Sequence, residues 1–316
     1  MLNLLVTGST GFVGRSACYW LHERGFSITA MSRRTIDWPS GIRSIATPNL
    51  LKLTSASSVF KGINCVLHLS GRAHVMREVE ADPLDAFRSS NVVETLHLAR
   101  EASAAGVKRF VFVSSIKVNG DSTHVSTPFT EAHVANPLDP YAISKHEAEI
   151  GLSKIAVETG IELVIVRPPL IYGRNVKGNF RTLINLLSRK IPLPLGSIRK
   201  NRRSFLSLHN FVDFLSVCVV HPSASGRLFL VSDQEDVSTA DLLFRLGAAM
   251  GKPACLLPVP TSLLKNAAYL TSQQVLYQRL CSSLVVDSTL ATDLLGWSPP
   301  QTLDEGLRTF SPDLLV

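Results

Sequence analysis

Three side chains in the middle of the chain form a set suited to proton exchange. Tyr141 and Lys145 stand four residues apart in Pro140-Tyr141-Ala142-Ile143-Ser144-Lys145, so on a helix both project from one face. An ammonium beside a phenol favours phenolate and draws the tyrosine pKa toward neutrality, where a proton-exchanging group is useful. Upstream, Val107 to Ser114 is dense in β-branched and aromatic residues and reads as a strand. Ser114 and Ser115 sit at its carboxyl edge.

The first residues of the chain supply a cradle of a different kind, suited to a dinucleotide. Leu2, Leu4, Leu5 and Val6 make an apolar run that stops at Thr7. Gly8-Ser9-Thr10-Gly11-Phe12-Val13-Gly14 follows, and Ser16 to Glu23 reads as a helix ending near Gly25. Gly8 permits the tight turn, Gly11 lets the backbone approach a pyrophosphate, and Gly14 lets the helix pack on the strand. The helix would turn its free N–H groups and positive end to the phosphates. Cofactor contacts are therefore expected at Gly8, Thr10, Gly11, Phe12, Val13 and Gly14.

Phe26 to Met31 reads as a second strand, ending at Ser32-Arg33-Arg34. An acidic residue here would take the ribose hydroxyls of NAD. Ser32 and Arg33 instead suit a 2′-phosphate, so NADP(H) is preferred and NAD(H) is the second choice. Cys65 to Leu69 reads as a buried strand, and Leu69, Ser70 and Gly71 at its end let the chain pass close to the cofactor. A helical pattern over Asp85 to Ala105 carries Asn91, also counted as a cofactor contact, and closes at Gly106. His68 and His74 have no carboxylate or thiol at ligand spacing, so they read as fold residues and no metal is expected.

Strand and helix alternate from residue 1 to Arg167, which indicates an α/β fold with a parallel, doubly wound sheet of Rossmann type. Ligands bind at the carboxyl ends of strands in such sheets, and Gly8, Ser32, Ser70, Ser115 and Arg167 all fall there. Residues 1–173 and 203–237 are expected to form the dinucleotide domain, with a helix over Leu208 to Val219 and a strand over Leu228 to Val231. Residues 174–202 and 238–316 would form a smaller, mostly helical substrate domain. Within it, Ser238-Thr239-Ala240-Asp241 reads as a capping box and Leu263 to Leu276 as a helix.

Composition narrows the setting. The chain has 316 residues, 45% hydrophobic and 18% charged, enough for a substantial core. Its five cysteines include no Cys-x-x-Cys pair, which argues against disulfides or zinc and for a reducing cytosol. No run reaches the roughly 18 apolar residues of a membrane helix, and no signal peptide is read, so a cytoplasmic protein is expected. Net charge is +7, with a cluster at Arg199, Lys200, Arg202 and Arg203. Nucleic acid, an anionic membrane surface or phosphorylated small molecules fit that balance, as does a solvated loop. No recognition helix or aromatic-interleaved basic motif supports nucleic acid.

Together these features resemble the extended short-chain dehydrogenase/reductase family, in its branch of nucleotide-sugar 4-epimerases and 4-keto-reductases. The glycine turn, Ser115, Tyr141-x-x-x-Lys145 and the segment Arg167-Pro168-Pro169-Leu170-Ile171-Tyr172-Gly173 occur in family order. The resemblance implies Tyr141 as general acid/base, Ser115 as its hydrogen-bonding partner on the substrate oxygen, and Lys145 on the nicotinamide ribose. Pro168 joins the cofactor contacts. Asn179, Arg203 and Arg279 become substrate contacts, the arginines at the diphosphate, where charge-assisted hydrogen bonds are strong. The Asp287 to Trp297 stretch resembles the family's C-terminal helix and implies packing.

Two departures carry information. Asn49 stands where many relatives place an aspartate against adenine, which leaves that contact open. Ile116 replaces the acidic pair of the 4,6-dehydratases, so dehydration is not expected. The implied reaction is hydride and proton exchange at C4 of a nucleotide-activated, most simply UDP-linked, hexose. Reduction of a UDP-4-keto-6-deoxy-N-acetylhexosamine for surface polysaccharide leads, on the logic of Ser32 and Arg33. A UDP-glucose or UDP-N-acetylglucosamine 4-epimerase is the alternative. A non-catalytic NADP(H)-binding regulator is an alternative of another class, opposed by the intact Ser115, Tyr141 and Lys145. Many relatives dimerise through a four-helix bundle, so a homodimer is compatible with this reading.

Overall fold

The computed structural model describes residues 2–73 and 82–311, so His74 lies outside the described residues. The first half runs β1 (Asn3–Thr7), α1 (Phe12–Glu23), β2 (Ser27–Ser32), β3 (Ile42–Ala46), β4 (Cys65–His68), α2 (Pro83–Arg88), α3 (Glu94–Ala104) and β5 (Arg109–Val113). Next come α4 (Pro140–Thr159), β6 (Glu162–Arg167), β7 (Leu170–Tyr172), α5 (Gly178–Ser188), β8 (Phe205–Ser207), α6 (Leu208–Val220) and β9 (Arg227–Leu230). Helices α7 (Thr239–Ala249), α8 (Thr261–Leu270), α9 (Gln274–Cys281), α10 (Thr289–Leu295) and α11 (Leu303–Leu307) close the chain.

Seven strands form one sheet in the order β3-β2-β1-β4-β5-β6-β9, and every neighbouring pair is parallel. Parallel strands are covered on both faces, which is why Leu4, Leu5, Val6 and Val164 to Val166 read as unbroken apolar runs. On one face α1 and α6 bury Leu21, Phe211 and Phe214; on the other α3 and α4 bury Leu98, Leu152 and Ile155. The strand order reverses between β1 and β4, which is where a doubly wound sheet opens a crevice. Register places Thr7 beside both Met31 and His68, so the ends of three strands meet there. A third core forms around Tyr172, Phe180, Phe205, Leu243, Leu246 and Leu307, with β7 and β8 as its small parallel sheet.

Four expected elements differ. Helix α1 starts at Phe12 rather than Ser16, its first turn closed by the Arg15 amide donating to the Gly11 carbonyl at 3.0 Å. The Asp85–Ala105 pattern is broken by a π-helical turn over Ser89–Val93, with the buried Asn91 at its centre. The Leu263–Leu276 pattern is two helices, interrupted where Ser272 takes φ +55°. Ser238 caps α7 by accepting from the Asp241 amide at 3.1 Å, but Asp241 accepts from the Ser238 hydroxyl at 2.7 Å instead of completing the box. Gly296, with φ +63°, ends α10, and Trp297 packs on Phe214 at 4.9 Å, which is a packing role.

Candidate active site

The glycine turn is built for backbone contact. A Cβ at Gly14 would sit 2.1 Å from the Gly8 carbonyl oxygen, and one at Gly8 would sit 2.7 Å from the Ser70 amide nitrogen. Gly8 also takes φ +63°, which L side chains rarely adopt. Helix α1 begins at Gly11 with no side-chain cap and no acid in its first turn. Its first amides are thus free to meet an anion, which is the donor set a dinucleotide pyrophosphate needs. Thr10, Phe12 and Val13 line this turn; Phe12 also packs against the third core.

Beyond the turn lies a pocket of about 610 Å³ lined by Thr10, Ser32, Arg33, Arg34, Ile36 and Pro48, with no carboxylate among them. The Ser32 hydroxyl donates to the Arg34 carbonyl at 2.5 Å, fixing the strand end, while Arg33 and Arg34 are exposed. Asn49 is committed to a local turn, accepting from the Leu51 amide at 2.8 Å. The cradle and this pocket fit a nicotinamide dinucleotide.

Leu69 and Ser70 are anchored through Thr7, whose hydroxyl accepts from their amides at 3.2 and 3.3 Å. The Thr7 proton is therefore directed to His68 Nδ1 at 2.9 Å, and His68 Nε2–H donates to Thr95 at 3.0 Å. Burial, with the Lys145 charge adding to it, pushes the His68 pKa down to about 3 and keeps the ring neutral. Asn91 is fully engaged by the protein: its amide accepts from Arg72 N at 2.7 Å and donates to Arg72 O at 3.1 Å and Ser144 Oγ at 3.0 Å. It therefore holds the Gly71–Arg72 segment against α4, the reason for the π-helical turn.

The Ser115 side chain lies close enough to the Tyr141 phenol to pull its pKa down, and the Ser115 hydroxyl accepts from the Lys117 amide at 3.3 Å. The expected phenolate is not found. Burial pushes Tyr141 up to about 12, outweighing the downward pull of the nearby Ser115 hydroxyl. Lys145 instead faces away, its Nζ 4.0 Å from the Phe112 ring centroid and near Gly71. Burial lowers Lys145 to about 7, while Glu149 one turn further on opposes that shift. In the free protein Tyr141 is therefore a proton donor and Lys145 is close to half neutral at neutral pH.

A buried network that the motifs do not reveal positions these groups. Arg167, at the end of β6, donates to both Glu149 oxygens (2.9 and 2.5 Å) and to Asn119 Oδ1 (2.9 Å). One guanidinium thus ties the sheet to the helix of Tyr141 and Lys145 and to the loop of Ser115. Lys117 pairs with Asp139, the N-cap of α4, closing the same loop from outside. Pro168 adds a backbone clamp, accepting from the Ile116 amide at 3.0 Å. Glu149 extends the Tyr141–Lys145 stripe by one more turn, a signal that four-residue spacing could have supplied.

On the substrate side, Arg203 is half-buried and donates to the Ser282 carbonyl at 3.1 Å. Its pKa is lowered by burial and next by the nearby Arg279, so the structure brings these two arginines together. Asn179 is exposed in the first turn of α5.

The family model described as "NAD dependent epimerase/dehydratase family" matches residues 4–231. The chain belongs to that family. It is an enzyme of the extended short-chain dehydrogenase/reductase class. It is 41% identical over 307 residues to a UDP-glucose 4-epimerase of Vibrio cholerae, a match that covers 97% of this chain and 93% of that protein. Among solved structures it resembles UDP-N-acetylglucosamine 4-epimerase from Bacillus cereus, with a TM-score of 0.78, 17% identity and 98% of each chain covered. UDP-glucuronic acid 4-epimerase from Bacillus cereus in complex with NAD gives a TM-score of 0.77 at 19% identity, covering 99% of this chain and 96% of that one. At these identities the solved structures speak for the fold. No helix among the described residues is long and apolar enough to cross a membrane.

Proposed function

We propose that this enzyme is a UDP-hexose 4-epimerase that uses NAD. The observation that carries the reading is Ser115 brought against Tyr141 at the strand ends beside the glycine cradle, in a chain 41% identical to a UDP-glucose 4-epimerase. Gly8, Thr10, Gly11, Phe12, Val13, Gly14, Ser32, Leu69, Ser70, Gly71 and Pro168 would hold the dinucleotide, which supplies hydride exchange at a sugar carbon when bound. Tyr141 passes its proton to and from the C4 oxygen, and Ser115 orients that oxygen. Lys145, beside Gly71, hydrogen-bonds ribose hydroxyls from the floor of the site. Arg203, Arg279 and Asn179 hold the nucleotide diphosphate, so binding far from C4 fixes the sugar in line. In this reading residues 174–202 and 238–316 form the unit that covers the sugar. A homodimer through α3 and α4 accounts for the exposed Val93, Ile150 and Val157 on that side.

A second reading rests on one feature. The pocket after β2 holds Arg33 and Arg34 and no carboxylate, which favours a 2′-phosphate and an exchangeable NADPH. That would make the enzyme a reductase of a UDP-4-keto-6-deoxy-N-acetylhexosamine. Purified protein should be denatured and its released nucleotide identified, then assayed both with UDP-hexoses and with the 4-keto sugar plus NADPH. Interconversion of UDP-glucose and UDP-galactose, or of their N-acetyl forms, without net cofactor oxidation is the expected result. Multiple-turnover oxidation of NADPH with no interconversion would replace the epimerase by the reductase.

A further inference from the structure

The α8–α9 hairpin has two apolar sides. Inward, Leu264, Leu280 and Cys281 pack on the third core. Outward, Leu263, Ala267 and Leu270 recur at i, i+4 and i+7, a stripe that surface helices ordinarily fill with polar residues. Leu263 is 57% exposed, Tyr269 73%, Leu270 83% and Val275 60%, and neither helix has a fully buried residue. An uncovered apolar cluster of this kind marks an interaction surface.

The charge around it is predominantly positive, with Asp121 near Arg203 and Asp236 near Arg202 as the acidic groups facing the loop. No Asp or Glu occurs between Asp241 and Asp287, nor between Glu162 and Asp213. The hairpin carries Lys265 and Arg279. The Arg199–Arg203 loop lies against the end of α9, where Asn201 Nδ2 donates to the carbonyls of Leu280 (3.2 Å) and Ser282 (3.4 Å). Arg199, Lys200, Lys265 and Arg279 form no ion pair among the described residues.

We infer that the α8–α9 hairpin seats this enzyme on an anionic membrane surface. The apolar stripe enters the headgroup layer while Arg199, Lys200 and Lys265 meet lipid phosphates, so the hairpin lies along the bilayer rather than spanning it. A second copy is the poorer occupant. A two-fold contact would bring Lys265, Arg279 and the basic loop against their own counterparts, with only Asp121 beside Arg203 and Asp236 beside Arg202 to offset them. Arg279 also neighbours Arg203, so docking sets that side of the site at headgroup level. The inference goes beyond the sugar reaction and stands for epimerase and reductase alike.

The test is co-sedimentation of the full chain with vesicles of equal parts phosphatidylglycerol and phosphatidylcholine, and with phosphatidylcholine alone. Binding is expected on the anionic vesicles only, falling as salt rises from about 0.05 M to about 0.5 M. The double variant Leu270→Ser/Val275→Ser should lower partitioning about tenfold. Both side chains are exposed, so its circular dichroism and turnover of soluble substrate should match wild type. Lys265→Gln should lower partitioning a few fold. Failure of wild type to sediment with phosphatidylglycerol, or equal partitioning of wild type and the double variant, overturns the inference. So does a wild-type dimer that the double variant dissolves in the absence of lipid.

Discussion

The two halves of the site are held in opposite ways. Around Ser115, Tyr141 and Lys145 the protein supplies its own partners: Arg167 is saturated by Glu149 and Asn119, His68 by Thr7 and Thr95, and Asn91 by Arg72 and Ser144. Around Arg203 it supplies less: the guanidinium donates to the Ser282 carbonyl at 3.1 Å and feels Asp121, but burial and the neighbouring Arg279 still lower its pKa. The first half is preorganised, so its groups need no rearrangement when a substrate oxygen arrives. The second half, in the proposed reading, is completed by the diphosphate of the nucleotide. One half is set to react and the other to be filled.

The largest effect should come from Tyr141→Phe, which removes the proton while keeping the ring against Phe87 at 6.0 Å. Turnover should fall about 10²- to 10⁴-fold with the affinity for the dinucleotide unchanged. Steady-state rates together with cofactor titration read both quantities. A variant that keeps near-normal turnover would remove Tyr141 from the proposed chemistry.

Next in size is Glu149→Gln, which breaks the buried pair that preorganises the first half. The side chains of Arg167 and Glu149 are 6% and 5% exposed, so the uncompensated Arg167 should cost about 3–5 kcal/mol of unfolding free energy, read from the denaturant midpoint. Replacing both partners by apolar residues should restore much of that stability without restoring kcat. Recovery of stability and kcat together would show that the pair is scaffolding with no influence on Tyr141 or Lys145.

The same contrast explains which features the amino-acid sequence makes legible. The cradle is legible because its demands are covalent and local: Gly8 needs a positive φ, and Gly14 tolerates no Cβ. The sheet is legible because parallel strands must be apolar on both faces. Three things are not. The Asn91 turn depends on partners 19 and 53 residues away, at Arg72 and Ser144, which no local pattern reports. The tyrosine pKa runs opposite to its expected direction because spacing shows that two groups share a face but not where a flexible ammonium points. Lys145 turns to Phe112, and burial decides the outcome. The apolar stripe of α8 is visible as periodicity, but periodicity does not tell a buried face from an exposed one.

A pH titration separates burial from pairing within the first half. His68 stands at about 3 when folded and 6.5 when free, so the unfolded chain binds more protons between those values. Stability from this group is complete above pH 6.5 and is lost as pH falls toward 3. Between pH 7 and pH 4.5 wild type should lose about 2–3 kcal/mol more than His68→Gln, which cannot titrate. Lys145, lowered to about 7 from 10.5, gives a slope of the same sign in a separate window, with stability rising from about pH 7 to 10.5. Parallel curves for wild type and His68→Gln below pH 6.5 would mean that water reaches the Thr7–His68–Thr95 chain.

The smallest effect, and the one that tests the second half directly, belongs to Arg279→Gln. Removing an exposed cation costs little in packing and relieves Arg203, so the free protein should be no less stable than wild type. Binding of UDP should nonetheless weaken about five- to tenfold, with a shallower salt dependence, because one charge-assisted contact to the diphosphate is lost. Arg279→Lys should recover only part of that, since a point charge replaces a planar fork. Calorimetric titration of UDP into the three proteins gives the order wild type, Lys, Gln. Equal affinities would mean that the arginine pair is filled by something other than the nucleotide, and the exposed, predominantly basic surface around it would then have to be explained by lipid alone.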